Sequence, residues 1–250
     1  MTILERLAAL EPEGGRAVLF TVLEGETAGR KVLVVEGGET LGEGPGELAE
    51  HADEILRAGR NRLLDHEGVR VFAEWYGPPP RLLVYGAVDT AEALCAAAKL
   101  LGWRTIVADA RAKFATRERI PSADELIVAW PDETLAQVQP DHQTAVVVLT
   151  HDDKFDEPAL LGALGTEAFY IGALGSRRNQ ERRRERLVAA GVSEDDLARI
   201  SGPCGLDIGA DTLGETALSI LAEVLAVRAR RGGGRLRESP QRIHAAAPGS

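Results

Sequence analysis

One short segment combines the residue types that hold an anion: residues 168–178 read AFYIGALGSRR. Its apolar first half is typical of a buried strand, and a charged, helix-like stretch follows it. Glycines let a ligand approach the backbone, amides at the start of a helix point at an anion, and arginine neutralises it. The alternative is an ordinary strand–helix turn with solvated arginines. The candidate residues are Gly172, Gly175, Ser176, Arg177 and Arg178.

A second candidate is a turn that resembles part of a dinucleotide-binding fingerprint. Gly86 follows an apolar strand and opens a helix, and Asp109 comes at about the 20-residue distance expected of a ribose-binding acid. However, Val88 stands where the fingerprint needs a second glycine, and Asp89 adds negative charge where a phosphate would arrive. We therefore favour a Rossmann-like turn with Asp89 as the helix cap over an ordinary dinucleotide site.

Polar residues follow further strands of the predicted sheet. Arg111 lies two residues after Asp109, and His151 and Asp152 follow a fully apolar strand. Ligands of doubly wound sheets bind outside the carboxyl ends of the strands, so these residues are candidates for cofactor binding. His151 could carry a proton or donate to a ligand, and the alternative is a hydrogen-bonded loop histidine.

Residues 203–210, with the sequence PCGLDIGA, hold two more candidates. Gly205 and Gly209 lie on either side of Asp207. We expect these glycines to fix the backbone conformation of the loop and therefore the direction of the Asp207 carboxylate. Cys204 could serve as a soft metal ligand or sulfur acceptor, and the favoured alternative is a small buried residue.

The elements that must position these residues alternate as strand and helix after the linker Gly77-Pro78-Pro79-Pro80. Apolar strands between helices indicate a parallel sheet covered on both faces, so we expect an α/β fold. The prediction is a Rossmann-like doubly wound parallel sheet with a smaller N-terminal α+β domain. We expect domains at 1–77 and 81–230, and a disordered tail over 231–250.

Two local expectations concern charged residues on helices of that sheet. Asp156 is a good N-cap for a helix over Pro158 to Leu164. The run Arg182 to Arg186 is typical of a solvated helix face with some pairing between neighbouring turns.

Composition narrows the classes of protein that the chain could belong to. The 250 residues carry a formal net charge of -10, which argues against a general nucleic-acid binder. No apolar run approaches the ~18 residues of a membrane helix, and the N-terminus lacks a signal-peptide core. The two cysteines are far apart with no CxxC, which suits a reducing cytoplasm and gives no zinc site.

Three motifs together resemble the XdhC/CoxI family of xanthine dehydrogenase accessory proteins. They are His151 to Asp156 (HDDKFD), Tyr170 to Arg178 (YIGALGSRR) and Gly205 to Ala210 (GLDIGA). Their order and spacing also fit, and the likeness covers about Leu82 to Ala226. The resemblance implies a Rossmann-like C-terminal domain, a smaller N-terminal domain and a role in maturing molybdenum hydroxylases.

The resemblance also implies a ligand and partners. The ligand is the molybdenum cofactor in its molybdopterin form, with or without a nucleotide extension, and Gly175, Ser176 and Arg177 would hold its phosphate. The partners are a xanthine-dehydrogenase-like apoenzyme, a cysteine desulfurase and a second copy of the chain in a homodimer. A chaperone of this kind needs no turnover of its own, so we expect no enzyme activity.

The chain departs from the family pattern at two places. Leu48 stands where the family's S-G-G-C-x-E loop has a cysteine, although Glu50 remains, and Val88-Asp89 replace the end of a G-A-G-H turn. A leucine cannot ligate molybdenum, so this chain either binds the cofactor differently, with Cys204 as the candidate ligand, or has lost the full activity. Two other functions stay open: an NAD(P)- or FAD-binding oxidoreductase, and a degenerate scaffold that only docks the client enzyme.

Overall fold

The computed structural model describes residues 1–150 and 152–240, which form two compact units. One unit comprises residues 1–78 and, of the C-terminal segment, the described residues 234–240; the other comprises residues 79–233. The predicted tail thus begins inside the described residues, where Leu236–Glu238 form a short 3-10 helix, and residues 241–250 lie outside them. The predicted disorder of the tail stays a prediction.

An antiparallel sheet dominates the N-terminal unit, with strand order β3-β2-β1-β5-β4. One face of the sheet packs on α1, and the other face packs on a 3-10 helix and α2. Its elements are α1 (Ile3–Glu13), β1 (Ala17–Val22), β2 (Lys31–Val35), β3 (Thr40–Gly42), the 3-10 helix Gly46–His51, α2 (Ala52–Ala58), β4 (Arg62–His66) and β5 (Val69–Tyr76).

A six-stranded parallel sheet forms the centre of the C-terminal unit, with strand order β11-β10-β9-β6-β7-β8. This is the Rossmann order, in which the chain reverses direction across the sheet between β6 and β9. The predicted fold class is therefore confirmed. The elements are β6 (Arg81–Tyr85), α3 (Asp89–Lys99), β7 (Arg104–Ala108), β8 (Glu125–Ile127), α4 (Pro131–Val138), β9 (Thr144–Val148), α5 (Asp153–Leu164), β10 (Tyr170–Ala173), α6 (Arg177–Ala189), α7 (Glu194–Leu197), β11 (Ile200–Ser201) and α8 (Leu213–Arg228).

Helices cover both faces of this sheet, as the apolar strands predicted. Alternate side chains of β6 enter two separate cores: Leu82 and Val84 pack on the α3 and α8 side, and Leu83 and Tyr85 pack on the α4 and α5 side. Since both faces are buried, the polar groups of the strands are concentrated at their ends. Within the described residues, no helix is long and apolar enough to cross a membrane.

An ion pair fastens the amino-terminal end of the sheet. The Arg81 guanidinium lies 3.1 Å from the Asp141 carboxylate, which also accepts hydrogen bonds from the Thr144 hydroxyl at 2.7 Å and the Gln143 amide at 3.1 Å. Burial raises the pKa of Asp141, but the Thr144 hydrogen bond and the Arg81 charge outweigh it and lower the pKa to about 2.

Replacing Asp141 with asparagine should therefore lower the free energy of unfolding by about 2 kcal/mol at pH 7. Because the folded pKa lies below the unfolded value of about 4, the carboxylate contributes fully above that pH and loses its contribution as pH falls towards 2. Urea unfolding of both proteins at pH 7 and pH 2.5 measures the difference between their unfolding free energies. We expect this difference to be smaller at pH 2.5 than at pH 7. Asp207→Asn, at an exposed carboxylate, is the control, and an equal difference at both pH values would contradict the assignment.

Candidate functional site

The carboxyl ends of β6, β7 and β9 line a small cleft that opens to solvent. Gly86, at its base, has φ 103°, and a Cβ there would stand 2.6 Å from the Thr150 methyl carbon, so only glycine fits. The cleft lies where the strand order reverses, the usual ligand position in such sheets. Its lining residues are Tyr85, Gly86, Ala108, Asp109, Ala110, Ala129, Pro131, Thr150 and Phe155.

Asp109, which was predicted to bind a cofactor, is 5% exposed, and both of its oxygens are bonded within the protein. One oxygen accepts from the Arg111 amide and Nε, each at 2.9 Å, and the other accepts from the Ala87 amide at 3.1 Å and Arg111 Nη2 at 2.9 Å. Burial raises the pKa of Asp109, but the hydrogen bonds from Arg111 outweigh it and hold the pKa below its ordinary value. The carboxylate is therefore ionised, and both of its oxygens are already engaged in hydrogen bonds within the protein.

The first turn of the sheet consequently offers little to a pyrophosphate. Its Ala87 amide donates to Asp109 instead of facing the ligand position. The expected helix cap is wrong, because Val88 is the N-cap of α3, while the exposed Asp89 lies 3.0 Å from Arg119 in an ion pair. These contacts argue against an ordinary dinucleotide site at Gly86.

Three aromatic side chains beside the cleft, Phe114, Trp130 and Phe155, form what we call the aromatic platform. The ring centroids of Trp130 and Phe155 are 4.9 Å apart, with 31° between the planes. The Arg111 guanidinium lies 4.3 Å from the centroid of Phe114 and 5.3 Å from that of Phe155. These residues could not be recognised as a group from the sequence, because they follow three different strands and no spacing shows that they meet.

The predicted anion segment lies at the carboxyl end of β10. Gly175 has φ 141°, Ser176 is the N-cap of α6 and accepts from the Asn179 amide at 3.3 Å, and α6 begins at Arg177. Arg177 and Arg178 are exposed, and neither makes an ion pair within residues 1–150 and 152–240. Gly172 is different: it is buried inside β10, where a Cβ would stand 2.6 Å from the Tyr170 ring.

A buried ion pair joins α6 to α5. Arg183 of α6 lies 2.7 Å from Asp156 of α5, and the Thr150 hydroxyl donates to the same carboxylate. Gln180 donates to the Ala173 carbonyl at 3.0 Å and accepts from Arg183 at 2.5 Å. The network links the ends of β9 and β10 to α5 and α6.

This network corrects the two local expectations about charged residues. Asp156 is not the N-cap: α5 begins at Asp153, and Asp152 caps it by accepting from the Lys154 amide at 3.1 Å. The arginine run is not uniformly solvated, because Arg183 is only 4% exposed. Arg184 and Arg186 pair with carboxylates of other helices instead of neighbouring turns: Arg184 with Glu194 on α7, and Arg186 with Asp153 and Glu157 on α5.

Asp207 and Cys204 are not among the residues that line the cleft. Asp207 is exposed in the loop between β11 and α8, and His151 lies outside the described residues. Cys204 is 8% exposed, and burial, with the nearby Glu223 carboxylate, raises the pKa of its thiol to about 12. It is therefore protonated at neutral pH, whereas metals bind the thiolate. In the part of the chain that the structure describes, no group of three or more His, Cys, Asp or Glu side chains could hold a metal ion.

The other departure from the family pattern lies in the core of the N-terminal unit. Leu48, on the 3-10 helix, is 0% exposed and packs in a cluster that includes Phe20, Val32 and Ile55. Glu50, two residues later, is exposed. The site-residue assignments from the sequence all stay predictions; the geometry favours Gly175, Ser176, Arg177 and Arg178, and does not favour Cys204.

Comparison with known proteins identifies a family for the C-terminal unit and several relatives of the chain. A family model described as the XdhC Rossmann domain matches residues 82–224. The chain is 32% identical over 160 residues to a protein of Bacillus subtilis named as a probable xanthine dehydrogenase subunit, an alignment that covers 64% of this chain and 46% of that protein. It is 31% identical over 157 residues to the molybdenum cofactor insertion chaperone PaoD of Escherichia coli, covering 63% and 43%.

A solved structure extends the likeness beyond that unit. The crystal structure of a xanthine dehydrogenase from Bacillus halodurans matches with a TM-score of 0.69 and 27% identity, covering 91% of this chain and 67% of that one. The chain spans less than half the length of the curated relatives that it matches.

Proposed function

This chain belongs to the XdhC family, and from that premise we propose that it binds the molybdenum cofactor and delivers it to a xanthine-dehydrogenase-like molybdenum hydroxylase. The cofactor is cargo, bound and released without turnover. The name of the Escherichia coli relative, a molybdenum cofactor insertion chaperone, supports this role. A cysteine desulfurase as second partner, a homodimer and a cytoplasmic location belong to the same proposal.

The observation that carries the proposal is the basic start of α6, whose two arginines make no ion pair within the described residues. Most helices of the chain have an acid in their first turn, but α6 has none and begins with Arg177 and Arg178. Cations at the positive end of a helix are unfavourable on their own, and an anionic ligand removes that cost. The cofactor carries a phosphate, which the helix amides and these two guanidinium groups can hold together.

Two other functions are less well supported. An NAD(P)- or FAD-binding oxidoreductase would need the amides of the first turn for its pyrophosphate, and Ala87 already donates to Asp109. A thermal shift with any of these dinucleotides would favour it. A scaffold that only docks the client is motivated by Leu48, and binding of the cofactor at micromolar strength would exclude it.

Replacing Arg177 with alanine should weaken cofactor binding by about 1.5–3 kcal/mol, or about 10- to 150-fold, because a charge-assisted hydrogen bond is lost. The measurement is the molybdenum that the purified protein retains on gel filtration, titrated against free cofactor. Arg182→Ala is the matched control, since Arg182 is an exposed arginine of the same helix, beyond its first turn.

Two results would count against the proposal at different levels. If the Arg177→Ala and Arg182→Ala proteins bind the cofactor equally tightly, the start of α6 does not hold the phosphate, and the chaperone role stays open. No retention of cofactor by the unaltered protein would sink the chaperone role itself.

A further inference from the structure

The cleft and the aromatic platform beside it have no part in the phosphate site just described. We propose that they form a second subsite, which binds the planar heteroaromatic ring of a phosphate-bearing ligand by stacking. The inference rests on the proposed function only for the identity of the ring, which is the pterin of the molybdenum cofactor or the base of a nucleotide extension.

The first support is an exposed, preformed flat surface. Trp130 is 49% exposed although it is one of the largest apolar side chains, and its indole already lies against the Phe155 ring. The side chain is not needed for the local helix start, since the cap of α4 is made by the Trp130 backbone amide, which donates to Glu133 at 3.1 Å. A half-exposed indole supported from one side is suited to receive a ring on the other.

The second support is the fixed position of Arg111. Its guanidinium is locked in place by the two hydrogen bonds to Asp109 and lies over both Phe114 and Phe155. The Arg111 side chain is 34% exposed, while that of Asp109 is 2% exposed. A planar cation that is held rigidly beside aromatic faces loses little freedom when a heteroaromatic ring stacks against it.

The third support is the chemistry of the cleft walls. Ala108, Ala129 and Pro131 give an apolar lining. The polar side-chain groups are engaged, because the Tyr85 hydroxyl donates to the Pro131 carbonyl at 3.2 Å and the Thr150 hydroxyl donates to Asp156. Recognition here must therefore depend on stacking and shape more than on hydrogen bonds to ring edges, and pterins and nucleobases both have the required flat face.

The place of the cleft in the sheet agrees with a second subsite. The ring would enter where the strand order reverses, at the ends of β6 and β9, whereas α6 follows β10 in the other half of the sheet. The two subsites thus suit two ends of one elongated ligand.

The test uses titration calorimetry on the whole chain with small probes that contain no molybdenum. The probes are CMP, AMP, 6-carboxypterin and, as a ring-free control, ribose 5-phosphate. Trp130→Ala should weaken binding of the ring-bearing probes by about 5- to 150-fold, and Trp130→Phe, which keeps a stacking face, should weaken it less. Val128→Ala is the matched control, because Val128 is 53% exposed, two residues away and not part of the cleft.

The outcomes of these titrations identify the ring or overturn the inference. Binding of CMP and AMP but not 6-carboxypterin assigns the subsite to a nucleobase, and the reverse assigns it to the pterin. Ribose 5-phosphate binding as tightly as CMP, no binding of any ring, or equal affinities of the Trp130→Ala and Val128→Ala proteins would overturn the inference. Ring binding by a chain that retains no molybdenum cofactor would leave this subsite standing and refute the proposed function.

Discussion

Replacing Asp156 with alanine is expected to lower the free energy of unfolding by about 3–5 kcal/mol. The Asp156 and Arg183 side chains are 2% and 5% exposed and lie 2.7 Å apart. Removing the carboxylate leaves a buried guanidinium whose Nε has no hydrogen-bond partner within residues 1–150 and 152–240, and leaves the Thr150 hydroxyl without its Asp156 acceptor. Guanidinium chloride unfolding at pH 7 measures the loss.

Asp153→Ala is the matched control, because Asp153 is an acid of the same helix turn whose side chain is 62% exposed in its pair with Arg186. Surface pairs of this kind are worth about 0–1 kcal/mol. The double variant Asp156→Leu with Arg183→Met should recover much of the lost stability, since it removes both charges together. A change below about 0.5 kcal/mol in Asp156→Ala would show that the pair is solvated in solution.

The same pair shows where sequence reasoning about this chain succeeds and where it fails. The strands β6, β9 and β10 were predictable because each contains an apolar run, such as the AVVV that follows Thr144 in β9. The burial of Arg183 was not predictable, because it sits in an arginine-rich run whose neighbours are exposed. Its environment is set by Asp156, which is 27 residues away in the chain.

The candidate site also has features that were predictable from the sequence and features that were not. Ser176 as a helix start and Gly175 as a turn residue follow from local backbone chemistry, so the sequence located the basic end of α6. The Asp109 carboxylate accepts three hydrogen bonds from Arg111, two residues along the chain, and one from the Ala87 amide at a different strand end. The approach of Ala87 is the part that no residue spacing predicts. The aromatic platform likewise forms only when the segments that follow β7, β8 and β9 meet at one edge of the sheet, and residue spacing does not predict this.

Replacing Leu48 with alanine is expected to cost about 2–5 kcal/mol of unfolding free energy, because a fully buried leucine is truncated and leaves a cavity. Leu48 is 0% exposed in the core formed by the 3-10 helix and the sheet. Chemical denaturation measures the loss. Leu4→Ala is the control, since Leu4 is 78% exposed on α1 and its truncation should change stability by less than about 0.5 kcal/mol.

Leu48→Cys tests whether the thiol that is typical of the family can be restored at this position. Because the side chain at 48 points into the core, we expect that its thiol stays unreactive towards Ellman's reagent until the protein is unfolded, like the buried Cys95 and Cys204. We also expect no gain in retained molybdenum cofactor, since a buried thiol neither ionises readily nor reaches a ligand. A rapidly reacting thiol in the folded variant, or increased cofactor retention, would show that the 3-10 helix Gly46–His51 opens to present residue 48 to the ligand.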